Sequence, residues 1–92
     1  MTPMKKVRLL ANKLYLRDKQ DEICEHKHVI ITFCLGEEDY LKLSRSVNNG
    51  FVMEIDSFEI EKFTSESPGV LYVDKSLMIC KNQRDVYELS SI

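Results

Sequence analysis

Apolar and polar residues alternate with period two through much of this chain, and the points where the alternation changes phase are its most informative features. In the run Phe51-Val-Met-Glu-Ile-Asp-Ser-Phe-Glu-Ile-Glu-Lys-Phe63, the residues Phe51, Met53 and Ile55 point one way while Phe58 and Ile60 have the opposite parity. An unbroken strand would turn its second half outward, so a β-bulge or corner is expected near Asp56 and Ser57, with a sharpened local twist.

Residues 6–17 carry two patterns. Met4, Val7, Ala11 and Leu14 fit a helical stripe, whereas Val7 and Leu9, then Leu14 and Leu16, fit two strand phases. Strand is preferred, because Lys5, Lys6 and Arg8 would lie at the positive end of a helix dipole at a cost of roughly a few tenths of a kcal/mol each. Against this, Thr2-Pro3 would serve as a helix cap with a first-turn proline. Residues 18–22 form a polar connection. Residues 23–35 then have a β-branched centre, with Val29, Ile31, Phe33 and Leu35 on one face and Ile30, Thr32 and Cys34 on the other, which predicts a strand buried on both faces near its end.

Gly36 breaks that strand. Glu37, Glu38 and Asp39 follow in what becomes the first turn of a helix over residues 37–48, where the macrodipole favours carboxylates. Tyr40, Leu43 and Val47, joined by Leu41, form its apolar stripe, and Asn48-Asn49-Gly50 supplies residues able to end it. Residues 64–69 read as a loop, and residues 70–73, 76–80 and 85–89 as short closing strands. The order predicts a single α+β domain over residues 1–92. It is a mostly antiparallel twisted sheet or partial barrel of five to seven strands, with one helix at about residues 37–48.

Composition adds bounds to this picture. A chain of 92 residues with 43% apolar and 30% charged positions is globular but short, so association with a second copy would help it bury a core. No apolar run exceeds four residues, far too short to cross a membrane, and the N-terminus lacks the sustained apolar segment of a secretory signal. Cys24, Cys34 and Cys80 are odd in number and widely spaced, as reduced thiols of a cytoplasmic protein would be. Residues 1–35 hold seven Lys or Arg against four acids, residues 36–66 three against eight, and residues 67–92 three against three, which sums to the net charge of -2.

Candidate chemistry is sparse. Cys24, His26 and His28 share one face of an extended strand and are all metal-ligand types, but the second cluster that a zinc site needs is missing, so an exposed strand end is the expected reading and no metal is assigned. Cys24 with His26 would be the only thiol and base pair close in sequence, without a recognisable oxyanion hole. Gly36, Gly50 and Gly69 are isolated and fit no phosphate-binding loop, so neither a cofactor nor an enzymatic activity is implied. The basic cluster Lys5, Lys6, Arg8, Lys13, Arg17 and Lys19 stands alone in a net acidic chain without Trp, which disfavours nucleic acid.

What remains is an acidic surface: Glu37, Glu38 and Asp39 at the helix start, and Glu54, Asp56, Glu59 and Glu61 on the following run. These residues are the expected contact for a protein partner with a basic surface. The function expected is therefore a small non-enzymatic regulator or inhibitor of the kind compact viral or mobile-element genes encode. The alternatives are a small-ligand module with a pocket formed between protomers and a nucleic-acid-binding β-domain.

Overall fold

The computed structural model describes residues 4–55, 59–66 and 76–92. Within them the chain forms β1 (Met4–Arg17), β2 (Ile23–Gly36), α1 (Glu37–Ser46) continued by a 3-10 turn (Val47–Asn49), β3 (Phe51–Ile55), β4 (Glu59–Thr64), β5 (Ser76–Cys80) and β6 (Val86–Ser91). The strands make one six-stranded sheet in the order β3-β5-β1-β2-β4, with β6 paired to β1. All pairings are antiparallel. This is the predicted α+β domain.

The long β1–β2 hairpin organises the rest. Asp18 closes it. Its Oδ1 accepts hydrogen bonds from the backbone N–H groups of Gln20 and Glu22, both at 2.9 Å, the self-bonding geometry that makes Asp a turn residue. The strand reading of residues 6–17 is correct, and the two phases have a structural cause. Val7, Leu9 and Ala11 face the core above residue 12, and Leu14 and Leu16 face it below. On β2 the same break falls between Val29 and His26, with His28 in the left-handed region at φ 53. Ala11 pairs with Val29 and Lys13 with Lys27, so Asn12 and His28 oppose one another. The interruptions coincide, and the register is therefore preserved while both strands swap faces.

Above the break β1 pairs with β6 and β2 with β4; below it β1 pairs with β5, which pairs with β3. β3 and β4 thus sit at opposite ends of the strand order, yet only residues 56–58 separate them. From Ile55 to Glu59 the chain spans at most about 14 Å, so the sheet must curl strongly. It is a partial barrel that does not close. The bulge expected at Asp56 and Ser57 and the strand expected at residues 70–73 lie outside the described residues. A register shift does occur nearby. Ile60 opposes Phe33 and Lys62 opposes Thr32, leaving Glu61 as an extra residue, and this puts both Ile60 and Phe63 against the core.

Tyr40, Leu43 and Val47 of α1 and its 3-10 extension pack on the core as expected, but Leu41 is 45% exposed and does not join the stripe. Gly50, at φ 72, ends the helical segment; a Cβ there would lie 3.1 Å from the carbonyl oxygen of Cys80. The expectation that β2 is buried on both faces is not met. Val29, Ile31, Phe33 and Leu35 are buried, whereas Ile30 is 40% exposed and Thr32 and Cys34 are half-buried, because α1 covers only the inner face.

Candidate protein-binding face

Below the break, β3, β5, β1 and β2 present an outer face whose composition follows from strand parity. Met53, Met78, Leu16 and Cys24 form the inward row. The adjacent outward row is Val52, Ile79, Tyr15 and Glu25, and the next places Glu54 beside Leu77 and Arg17 beside Ile23. Val52 is 71% exposed and Ile23 40%, while Ile79, Leu77 and Tyr15 are half-buried against one another. A contiguous apolar strip with Tyr and Arg at its centre has the composition of interface hot spots.

Charges of both signs border the strip at each end. At one end Lys81 Nζ lies 4.3 Å from the centre of the Tyr15 ring, and Lys13 Nζ lies 3.5 Å from Glu25. At the other end stand Glu54 and the turn residues Asp21 and Glu22. Arg17 Nε is 3.0 Å from Asp21 Oδ1, an ion pair whose angle falls short of a hydrogen bond. Glu54 is thus the predicted acid that belongs to this face. The apolar residues were missed by sequence reasoning, although Val52 carried a signal: it is an aliphatic residue of opposite parity to Phe51 and Met53, in a strand whose other outward residue is Glu54.

The remaining predicted acids are distributed elsewhere. Glu37 and Glu38 are exposed and Asp39 half-buried in the first turn of α1. Glu61, on β4, receives Lys6 Nζ at 2.8 Å. Glu59 contributes its backbone to β4 opposite Cys34, and Asp56 lies outside the described residues.

The basic cluster of β1 is largely matched within the protein. Lys6 pairs with Glu61, Arg8 with Glu88 at 3.1 Å, Lys13 with Glu25 and Arg17 with Asp21, while Lys5 Nζ sits 5.2 Å from the Tyr40 ring centre. A phosphate backbone would have to displace these carboxylates, which weighs against a nucleic-acid surface.

Cys24, His26 and His28 do not share an environment, contrary to their spacing. The left-handed backbone at His28 turns that side chain to solvent, and His26 is 1% exposed, inside the core rather than on an exposed strand end. Neither ring nitrogen of His26 has a hydrogen-bond partner among the described residues. Burial pushes its pKa below the ordinary value, with Asp18 opposing the shift. Cys24 donates its thiol to Asp18 Oδ2 at 3.1 Å, and that bond, with desolvation, raises its pKa, opposite to the activation a nucleophile needs. Among the described residues no three metal-ligand side chains converge, and no helix there is long and apolar enough to cross a membrane.

Comparison of this chain with protein-family models, with curated proteins and with solved structures yields no match.

Proposed function

We infer that this chain is a small non-enzymatic protein-binding regulator or inhibitor that docks on its partner through the outer face of β3, β5, β1 and β2. One observation carries the reading: the exposed Val52 continues an apolar row through Ile79 to Tyr15, on a sheet face that α1 does not cover. Glu54 at the corner of the face, with Asp21 and Glu22, would meet a basic rim on the partner and steer its approach. Glu37, Glu38 and Asp39 would add long-range attraction for the same basic surface without belonging to the buried centre. Three free cysteines, Cys24, Cys34 and Cys80, support a reducing, cytoplasmic setting.

The test is affinity capture from the natural host with wild-type protein and variants of intact circular dichroism. Val52→Asp should lose a specifically retained protein, and Glu54→Lys should retain less of it. Reversing Glu37, Glu38 and Asp39 together should mainly slow association. Capture that survives Val52→Asp unchanged rules out this face.

A further inference from the structure

Asn49 and Gly50 lie where the 3-10 turn that continues α1 gives way to β3, and they form the chain's one asparagine-glycine pair. Asn49 is exposed. Gly50 has no Cβ, so nothing on its own residue hinders the approach of its backbone nitrogen to the side-chain carbonyl carbon of Asn49. The turn itself is a weak restraint. Hydrogen bonds are poorer in a 3-10 segment than in an α-helix, and helix ends fray, so the pair is released by local opening without global unfolding.

The other asparagines lack this combination. Asn12, Asn48 and Asn82 are followed by Lys13, Asn49 and Gln83, each of which carries a side chain beside the attacking nitrogen. Asn12 also lies within β1, where its N–H donates to the carbonyl of Asp85 at 2.6 Å. The Oδ1 of Asn82 accepts the backbone N–H of Arg84 at 3.0 Å.

We propose that Asn49 is a site of spontaneous backbone modification, and that its isoaspartate product unfastens α1 from β3. The deprotonated backbone nitrogen of Gly50 attacks Cγ of Asn49. A new C–N bond forms there, the bond from Cγ to the side-chain nitrogen breaks, and that nitrogen takes up a proton and leaves as ammonia. Water then opens the cyclic imide at one of its two carbonyls, giving aspartate or isoaspartate. In isoaspartate the main chain runs through Cγ and is one carbon longer. The junction leaves little room for that insertion, because a Cβ on Gly50 would already lie 3.1 Å from the carbonyl oxygen of Cys80 and 3.3 Å from that of Lys81. The far side is fixed. Cys80 Sγ donates to the carbonyl of Asn82 at 3.0 Å, and the next residue of β3, Phe51, is buried and paired with Cys80. Either product also places a carboxylate at the negative end of the α1 dipole, which disfavours the turn further. The inference stands apart from the protein-binding reading of the sheet face.

The folded protein, aged at physiological temperature in neutral and in mildly alkaline buffer, is digested and its peptides are separated and weighed. Position 49 should lose its amide well ahead of positions 12, 48 and 82, faster in the alkaline buffer, with isoaspartate exceeding aspartate. Asn49→Gln should stay unmodified over the same period, because its extra methylene demands a larger ring. The isoaspartate form, isolated by chromatography, should melt below Asn49→Asp, which carries the same charge on a regular backbone. An amide at position 49 that survives in the folded protein but is lost from the urea-unfolded chain overturns the proposal, since the turn then protects the pair. An isoaspartate form as stable as Asn49→Asp overturns the unfastening of α1 from β3.

Discussion

His26 of β2 meets Phe63 of β4 edge-on, with ring centroids 5.3 Å apart and planes at 88°. The contact ties the lower half of the hairpin to an edge strand. It also buries an imidazole whose two nitrogens have no hydrogen-bond partner among the described residues. The neutral ring is tolerated there, whereas the cation would need water or an acid, and Asp18 is the carboxylate that acts on it.

This makes stability depend on pH. The folded pKa of His26 is lowered from 6.5, so at pH values between the folded and unfolded pKa the unfolded chain binds the extra proton. Stability is full above about 6.5 and falls as pH drops below it, levelling off only below the folded pKa. Urea denaturation at stepped pH should show that loss. His26→Leu should flatten the profile below about pH 6.5 and raise stability at neutral pH by about 1 kcal/mol, because unpartnered buried polar atoms are removed.

Gly50→Ala should destabilise the protein by about 1–3 kcal/mol, since φ 72 is strained for an L side chain and the new Cβ meets Cys80 and Lys81 carbonyl oxygens at 3.1 and 3.3 Å. Gly36→Ala is the matched control. Its φ is -63 and a Cβ there has nothing within 4 Å, so thermal unfolding should move little.

The two leucines of α1 separate its faces. Leu43 is 0% exposed, and Leu43→Ala should cost about 2–4 kcal/mol by equilibrium unfolding. Leu41 is 45% exposed, and its replacement by alanine should change stability by less than about 0.5 kcal/mol. Equal effects would mean that the helix is rotated from the orientation described.

Asp18 links the hairpin turn to Cys24. Its carboxylate is stabilised as the anion, first by the backbone N–H of Glu22 and then by the Cys24 thiol, and its pKa is lowered from 3.8. The stabilisation is present above that value and disappears as pH falls through the lower folded pKa. Asp18→Asn should lower the Cys24 pKa toward its ordinary value and speed labelling of this thiol by a disulfide reagent near pH 8. Cys80, held up mainly by burial, should react slowly in both proteins.

Much of the architecture was legible because it depends on short-range periodicity. The Val29, Ile31, Phe33 and Leu35 row, the Tyr40, Leu43 and Val47 stripe and the turn at Asp18 each lie within a few residues, where side-chain direction follows directly from backbone period. The strand phases of residues 6–17 were visible too, but not their cause. Histidine enters the left-handed region more readily than most residues, but nothing in the sequence sets His28 apart from His26, and its place in the hairpin decides. Burial of His26, exposure of His28 and the failure of the Cys24 constellation all follow from that one conformation.

The candidate face was hidden for a related reason. Tyr15, Ile23, Val52 and Ile79 come from four strands, and only the pairing of β3 with β5 and β5 with β1 sets them side by side. By itself the sequence determined which residues alternate, where the helix begins and ends, and that the domain is α+β, because these are local consequences of side-chain period and turn chemistry. The tertiary structure decided that β3 and β4 pair with different strands at opposite ends of the sheet. It also decided that Glu54 borders an apolar face while Glu61 is drawn to Lys6, because strand partners are chosen by long-range packing in which no single segment holds the information.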